Sequence, residues 1–288
     1  MEWIKNLSNV IEYIERHLDR EISYEEAASI ANNSKYYFQR IFQYVTGLSL
    51  SEYIRRRRMS EAALELQRTD IKVLDVALKY GYSSPTAFNR AFKSVHKVSP
   101  MSAKKKGVTL ISFPPIEFSI KVKGDTPMSY RIEDKPAFRI AGLRLRITED
   151  MEKNQKIIPD FWNEIVKTKE FSEICLLSED NPNGILGVSV FKDPENIFYY
   201  IASATKKDVS EKFFVYEIPA SKWVIFENNG HFRESVQSVF NRFYTEWLLG
   251  SGYMYAELPD IEVYPIKNEK MGEGSTEVWI SIKKDEVN

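Results

Sequence analysis

Cysteine is almost absent from the 288 residues: Cys175 is the only one. No internal disulfide can form, and a thiolate metal cluster is excluded. Histidine is nearly as scarce. His17, His96 and His231 are scattered and none has H-x-x-x-H spacing, so no metal site is expected. A Gly-rich phosphate loop is missing and no Ser-His-Asp set can be assigned, so neither a cofactor nor a catalytic residue is predicted. No apolar run approaches the ~18 residues of a membrane helix. The opening MEWIKNLSNVIEYIERHL mixes charged with apolar residues and lacks the continuous apolar core of a secretory signal. The expectation is a cytoplasmic protein that is not an enzyme and meets no membrane. Cys175, between Ile174 and Leu176, reads as a buried small hydrophobe. His231, after ENNG, reads as a solvated loop residue.

Net charge is also nearly absent, with 40 basic against 41 acidic side chains, but it is unevenly spread. Residues 1–107 carry 18 Lys and Arg against 12 Asp and Glu, and within 34–107 the count is 15 against 5. The remainder carries 22 against 29. Such asymmetry between halves points to one part meeting a polyanion. Hydrophobic residues at 43% and aromatics at 13% supply core material for both parts, which excludes general disorder.

The two parts follow different periodicities. In the first, Ile4, Leu7, Val10, Ile11, Ile14 and Leu18 fall three and four apart, one face of an amphipathic helix. Ser23 with Glu26 three residues on reads as a capping box. The basic run KKKG (104–107) and the Pro pair of FPPIEF (113–118) predict a linker over 108–127. Beyond 128, segments such as GILGVSVF, NIFYYIASA, SKWVIFE, PDIEVYPI and TEVWISI are β-branched and aromatic, and helical stretches interrupt them near 154–168 and 232–252. The prediction is an all-α domain over 1–107 and an α+β domain over 128–288.

The first part repeats itself with an offset of 50: Ala27 with Ala77, Ser34 with Ser84, Phe38 with Phe88, Arg40 with Arg90, Phe42 with Phe92, Val45 with Val95. A fixed period means one supersecondary unit used twice. In each copy the aromatics share a buried face. The opposite face is short, polar and basic near its start, which is what a helix-turn-helix recognition helix requires in the major groove. Between the copies, 49–69 is helix-forming. About 18 helical residues span roughly 27 Å, near the ~34 Å of one DNA turn, so two recognition helices could enter successive grooves. Arg55–Arg58 cover all sides of this helix, so they cannot all touch DNA.

The stretches SKYYFQRIFQYVTGLSLSEYIRRRRMSEAALEL (34–66) and VALKYGYSSPTAFNRAFKSVHKVSP (76–100) resemble the AraC/XylS family of transcription regulators, of the Rob-like type. The resemblance implies binding to double-stranded DNA, with base-reading residues at Tyr36, Gln39 and Arg40 in one copy and Thr86, Asn89 and Arg90 in the other. Activation through RNA polymerase is the family habit. Pro85, where related regulators often have Gln, removes one base contact.

The second part repeats more weakly, Tyr130-Arg-Ile132 with Tyr216-Glu-Ile218, and predicts two βαββ units related by a pseudo-twofold with a groove between them. The stretches VYEIPASKWVIFENNG (215–230), LPDIEVYP (258–265) and TEVWISIKK (276–284) resemble the GyrI-like effector-binding domain of multidrug-sensing regulators. That resemblance implies a lipophilic, often cationic, small-molecule effector held by aromatic walls around a carboxylate. By motif position the carboxylate is Glu262, with Glu277 as a second candidate, and Trp162, Tyr200, Trp223 and Tyr264 are candidate walls. Two alternatives stand beside a regulator. One is a module that sequesters drugs or a protein partner. The other is a hydrolase, because stand-alone relatives of this domain are reported to hydrolyse substrates with a glutamate and a tyrosine.

Overall fold

The computed structural model describes residues 2–118, 127–148, 151–178, 182–191, 196–228, 232–267, 270–271 and 275–284. The chain divides into two compact units, Met1–Lys121 and Val122–Asn288. Among the described residues no helix is long and apolar enough to cross a membrane.

The first unit is helical: α1 (Glu2–Arg16), α2 (Tyr24–Ile30), α3 (Lys35–Thr46), α4 (Leu50–Arg68), α5 (Val73–Lys79), α6 (Pro85–His96) and α7 (Pro100–Ala103). Ser23 caps α2 by accepting from the Glu26 amide at 3.1 Å. The return half of the capping box runs through Tyr13 instead. Its hydroxyl accepts from the Ser23 amide at 3.2 Å and donates to Glu26 at 3.0 Å. The fifty-residue repeat is the pair α2–α3 and α5–α6. Phe38 and Phe42 pack with ring centroids 6.0 Å apart, Phe88 and Phe92 with 5.7 Å, and α3 and α6 both end on a left-handed residue, Gly47 and Lys97.

Helix α4 serves both repeats. Leu50, Tyr53 and Ile54 enter the core of the first, while Met59, Ala62, Ala63 and Leu66 enter the core of the second. Its arginine run is largely committed to internal contacts. Arg57 is buried, donating to both carboxylate oxygens of Glu15 at 2.7–3.0 Å, to Glu61 at 2.9 Å and to the Phe113 carbonyl at 2.6 Å. Arg55 and Arg56 both pair with Glu52.

Part of the segment expected as linker belongs to this unit. The Phe113 amide donates to Ser60 Oγ at 2.9 Å, the Ile111 amide to His96 Nδ1 at 3.2 Å, and the Ile116 amide to the Tyr53 hydroxyl at 3.4 Å. Phe113 packs against the second core, Ile116 and Phe118 against the first. Residues 108–118 are therefore a strap docked by buried polar groups, and the division between units falls after Lys121.

The second unit is a strongly curled antiparallel sheet under helices. Its elements are β1 (Tyr130–Lys135), β2 (Phe138–Arg146), α8 (Met151–Ile165), α9 (Lys169–Leu177), β3 (Ile185–Phe191), β4 (Ile197–Ala204), β5 (Phe214–Ile218), β6 (Ser221–Asn228) and α10 (Phe232–Arg242). A π-helical turn (Phe243–Trp247), α11 (Leu248–Ser251), β7 (Tyr253–Tyr255), β8 (Asp260–Tyr264), β9 (Ile266–Lys267), β10 (Lys270–Met271) and β11 (Thr276–Lys284) follow. The order β1-β6-β11-β8-β3-β4-β2-β5 is palindromic with respect to the two halves, and each half adds a leading strand to the expected βαββ pattern. That strand pairs with the other half: β1 with β6, and β5 with β2. The pseudo-twofold therefore passes between β8 and β3.

Phe138 on β2 lies 6.5 Å from Trp279 on β11, ring to ring. Four strand steps of about 4.8 Å would hold them far apart in a flat sheet, so the sheet closes on itself. Leu186, Val188, Tyr200, Trp223, Ile261, Val263 and Trp279 fill this concave side. Alternate residues face the helices, as the Phe226–Phe243 and Trp162–Tyr199 ring contacts show.

Two outcomes follow from these contacts. Arg57→Ala leaves Glu15 without its buried counter-charge and should cost about 3–5 kcal/mol, whereas Arg55→Ala, on a third-exposed side chain, should cost under ~1 kcal/mol; urea denaturation of each variant checks both. His96 donates from Nε2 to the Met59 carbonyl at 3.0 Å, so its Nδ1 is the unprotonated nitrogen facing Ile111. Burial holds the imidazole below its ordinary pKa, against a smaller opposing effect of the Met59 bond. The unfolded chain then takes up the proton first. Stability should fall as pH drops below about 6.5, and His96→Gln should flatten that part of the pH profile.

Candidate functional site

Helix α6 begins at Ser84, whose hydroxyl accepts from the Ala87 amide at 3.3 Å, and places Pro85 in its first turn, where no amide is needed. With Phe88, Phe92 and Val95 turned inward, Thr86, Asn89 and Arg90 stand exposed on the other side. Lys93, one turn past Asn89, extends this exposed stripe. Its spacing of seven from Thr86 was the available signal for it. The stripe carries a short polar residue, an amide and two cations, the composition of a groove-reading and phosphate-contacting face.

The first copy presents a different face. Lys35 is half-buried and pairs with Glu25 at 2.8 Å. Gln39 is half-buried with its Nε2 withdrawn from solvent, and Arg40 is only 3% exposed. The Arg40 guanidinium lies over the ring of Tyr44, one turn on, at 5.5 Å. Arg40, expected to read bases alongside Arg90, instead has its side chain folded inward. Tyr36 begins the same helix, and its side chain lies outside the described residues.

In the sheet unit, Glu262 lies on β8 beside the pseudo-twofold, directly opposite Gly187 on β3. The Tyr199 hydroxyl donates to Glu262 Oε2 at 2.9 Å, and the Tyr264 hydroxyl donates to the same oxygen at 2.5 Å. Trp162 of α8 donates from Nε1 to the Tyr199 oxygen at 2.9 Å, and its ring meets that of Tyr264 edge-on at 5.3 Å. Burial, followed by the nearby Glu262 charge, raises the Tyr199 pKa well above the ordinary phenol value, so Tyr199 remains a donor. A Cβ at position 187 would sit 2.2 Å from the Tyr199 oxygen and 2.7 Å from Glu262 Oε2. Only glycine lets the phenol reach across β3 to the carboxylate. The result is a half-buried carboxylate clamped by hydroxyls and flanked by an indole and a phenol, an arrangement that can hold a desolvated cation.

Glu262, Tyr264 and Trp162 are thus brought together, while three other candidates lie elsewhere. Val278 pairs with Glu262 and Glu277 with Val263, so Glu277 points to the opposite side of the sheet. There it accepts from Arg131 at 2.7 Å and from Trp279 Nε1 at 2.7 Å, a structural pairing. Tyr200 and Trp223 also belong to the concave core, and the Tyr200 hydroxyl accepts from Arg144 at 3.2 Å. The member of this cluster that the sequence does not single out is Tyr199. Cys175 is buried among the residues of α9, and His231 lies outside the described residues.

Comparison with known proteins divides the chain at the same place. Residues 27–106 match the family model of a helix-turn-helix domain, and residues 128–283 match that of a GyrI-like small molecule binding domain. The transposon Tn10 TetD protein of Escherichia coli is 43% identical over 94 residues, covering 33% of this chain and 68% of that protein. The transcriptional activator AarP of Providencia stuartii is 40% identical over 94 residues, covering 33% of this chain and 70% of its own. The right origin-binding protein of E. coli K12 is 38% identical over 94 residues, and the match spans 32% of its length. The chain belongs to the GyrI-like family of small-molecule-binding proteins, with that domain carried behind an AraC-type double helix-turn-helix domain.

Proposed function

We propose that this chain is a cytoplasmic transcription regulator that binds duplex DNA chiefly through α6 and senses a lipophilic cation at Glu262. The observation that carries the sensing half is the Glu262 carboxylate held by Tyr199 and Tyr264 beside Trp162. A cation entering there gains a charge-assisted partner and aromatic faces, which a neutral analogue of the same shape does not. The DNA half is supported by the exposed Thr86, Asn89, Arg90 and Lys93 on a helix capped and packed as a recognition helix. The first copy, with Gln39 Nε2 and Arg40 turned from solvent, serves mainly to position the unit, with Tyr36 as its remaining base-reading candidate. Ligand binding shifts the operator affinity only by as much as the ligand distinguishes the two states of the chain. Activation would add a contact with RNA polymerase.

For DNA, Arg90→Ala should weaken operator binding by about 1–3 kcal/mol, with Arg40→Ala weakening it less. Competition assays at fixed salt on both variants measure this, and equal losses would return Arg40 to the reading face. For the effector, lipophilic cations should raise the melting temperature of the wild type by mass action, and Glu262→Gln should abolish the rise. Stabilisation by neutral analogues alone would remove the carboxylate from the site.

A further inference from the structure

The helical unit contains a cleft of about 520 Å³ that DNA reading leaves unused. Its volume falls within the roughly 300–1,000 Å³ of small-molecule sites, and it is a half-open cleft whose walls are more polar than apolar. The cleft lies between the two helix-turn-helix repeats. Its walls come from the turn after α1, the start of α2, the middle of α4 and the end of α5. Leu78, 55% exposed, and the half-buried Tyr24 supply the apolar surface at its edge, above the buried Ile22 and Ile54.

Arg58 is the charge inside this cleft. Its Nε donates to the Leu18 carbonyl at 3.0 Å and its Nη2 to the Arg20 carbonyl at 2.6 Å. Those bonds anchor the guanidinium on the turn after α1 and leave Nη1 for the cleft. Nη1 lies beside Gly81 (φ +82), where a Cβ would stand 3.0 Å from it. The other charges at the cleft are spoken for or exposed. Asp19 pairs with Arg20 at 3.1 Å, Lys79 pairs with Glu65 at 2.9 Å, and Glu21 is exposed at the rim.

Arg57, next in sequence, shows the contrast. Burial disfavours its charge, but Glu15 and Glu61 outweigh that and raise its pKa. For Arg58, burial leads and the pKa falls, with only Tyr82 and Tyr24 opposing it. Among the described residues, Arg58 is held by backbone carbonyls and by no carboxylate at ion-pair distance.

We infer that this cleft binds a small aryl or branched-alkyl carboxylate, with its anionic head on Arg58 and its apolar body against Leu78 and Tyr24. The guanidinium is pre-positioned by its carbonyl bonds, so a carboxylate acquires a charge-assisted bond without ordering a free side chain. Such a ligand joins the turn after α1, α4 and α5. It thereby braces the second helix-turn-helix against the first, independently of the Glu262 site.

The test is isothermal titration calorimetry of the full chain with 2-naphthoate and with its neutral amide. Naphthoate should bind at least about tenfold more tightly than the amide. Arg58→Gln should lose this preference. Because that change also removes two carbonyl bonds, Leu78→Glu is the second variant: at an exposed position it sets a like charge in the cleft, and it should cut naphthoate affinity about tenfold or more with unchanged thermal unfolding. Glu262→Gln should leave naphthoate binding intact. Equal binding of acid and amide, full binding in Leu78→Glu, loss in Glu262→Gln, or no heat with naphthoate up to about 1 mM would each overturn the assignment.

Discussion

The sheet unit depends on the register between β3 and β8, where the two halves meet and Gly187 stands opposite Glu262. Successive side chains on a strand point to opposite faces, so a slip of one residue would exchange the contents of the two faces. In the observed register, Glu262 and Tyr264 lie with Tyr199 on the helix side, while Ile261 and Val263 enter the concave core. The bare backbone at 187 is what allows the Tyr199 phenol to cross β3. A carboxylate placed there without donors would incur a heavy desolvation cost. The hydroxyls of Tyr199 and Tyr264 offset it, and Trp162 from α8 orients the first of them. Position at the pseudo-twofold thus joins three separate stretches of chain in one hydrogen-bonded cluster.

The helical unit rests on a comparable constraint at Arg57. Its guanidinium joins α1 through Glu15, the strap through the Phe113 carbonyl, and its own helix through Glu61. The apolar halves of α4 belong to separate cores, and this buried charge cluster lies where the two meet. The strap is the chain's exit from the DNA-binding unit. Its amides are held by Ser60, His96 and Tyr53, which also pack the core, so its path is coupled to the integrity of both repeats.

Much of this is legible in the sequence. The fifty-residue repeat located both helix-turn-helix pairs and the connecting helix, because buried aromatics at fixed spacing leave a clear periodic trace. What escaped were features that depend on partners distant in sequence. Arg40 and Arg90 look equivalent within their repeats, yet the Tyr44 ring lies beside one of them, and its counterpart Ser94 offers no such surface. The run FYYIASA is apolar on both faces, so its periodicity could not tell Tyr199 from Tyr200; only pairing with Glu262 across β3 does so. Glu262 and Glu277 share a similar local pattern, and the β11–β8 register separates them. The strap's Pro pair and basic lead predict a linker, because they carry no mark of the buried acceptors that take its amides.

In the proposed function, the Glu262 cluster is the point at which a small cation acts on DNA binding. The most direct measurement is operator affinity at fixed salt, with and without a saturating lipophilic cation, in the wild type and in Glu262→Gln. Linkage requires any effect of the cation on DNA affinity to pass through its own binding. The account predicts a cation-dependent change in the wild type and none in Glu262→Gln, with the two proteins alike in the absence of cation. An equal cation-dependent change in both would contradict it.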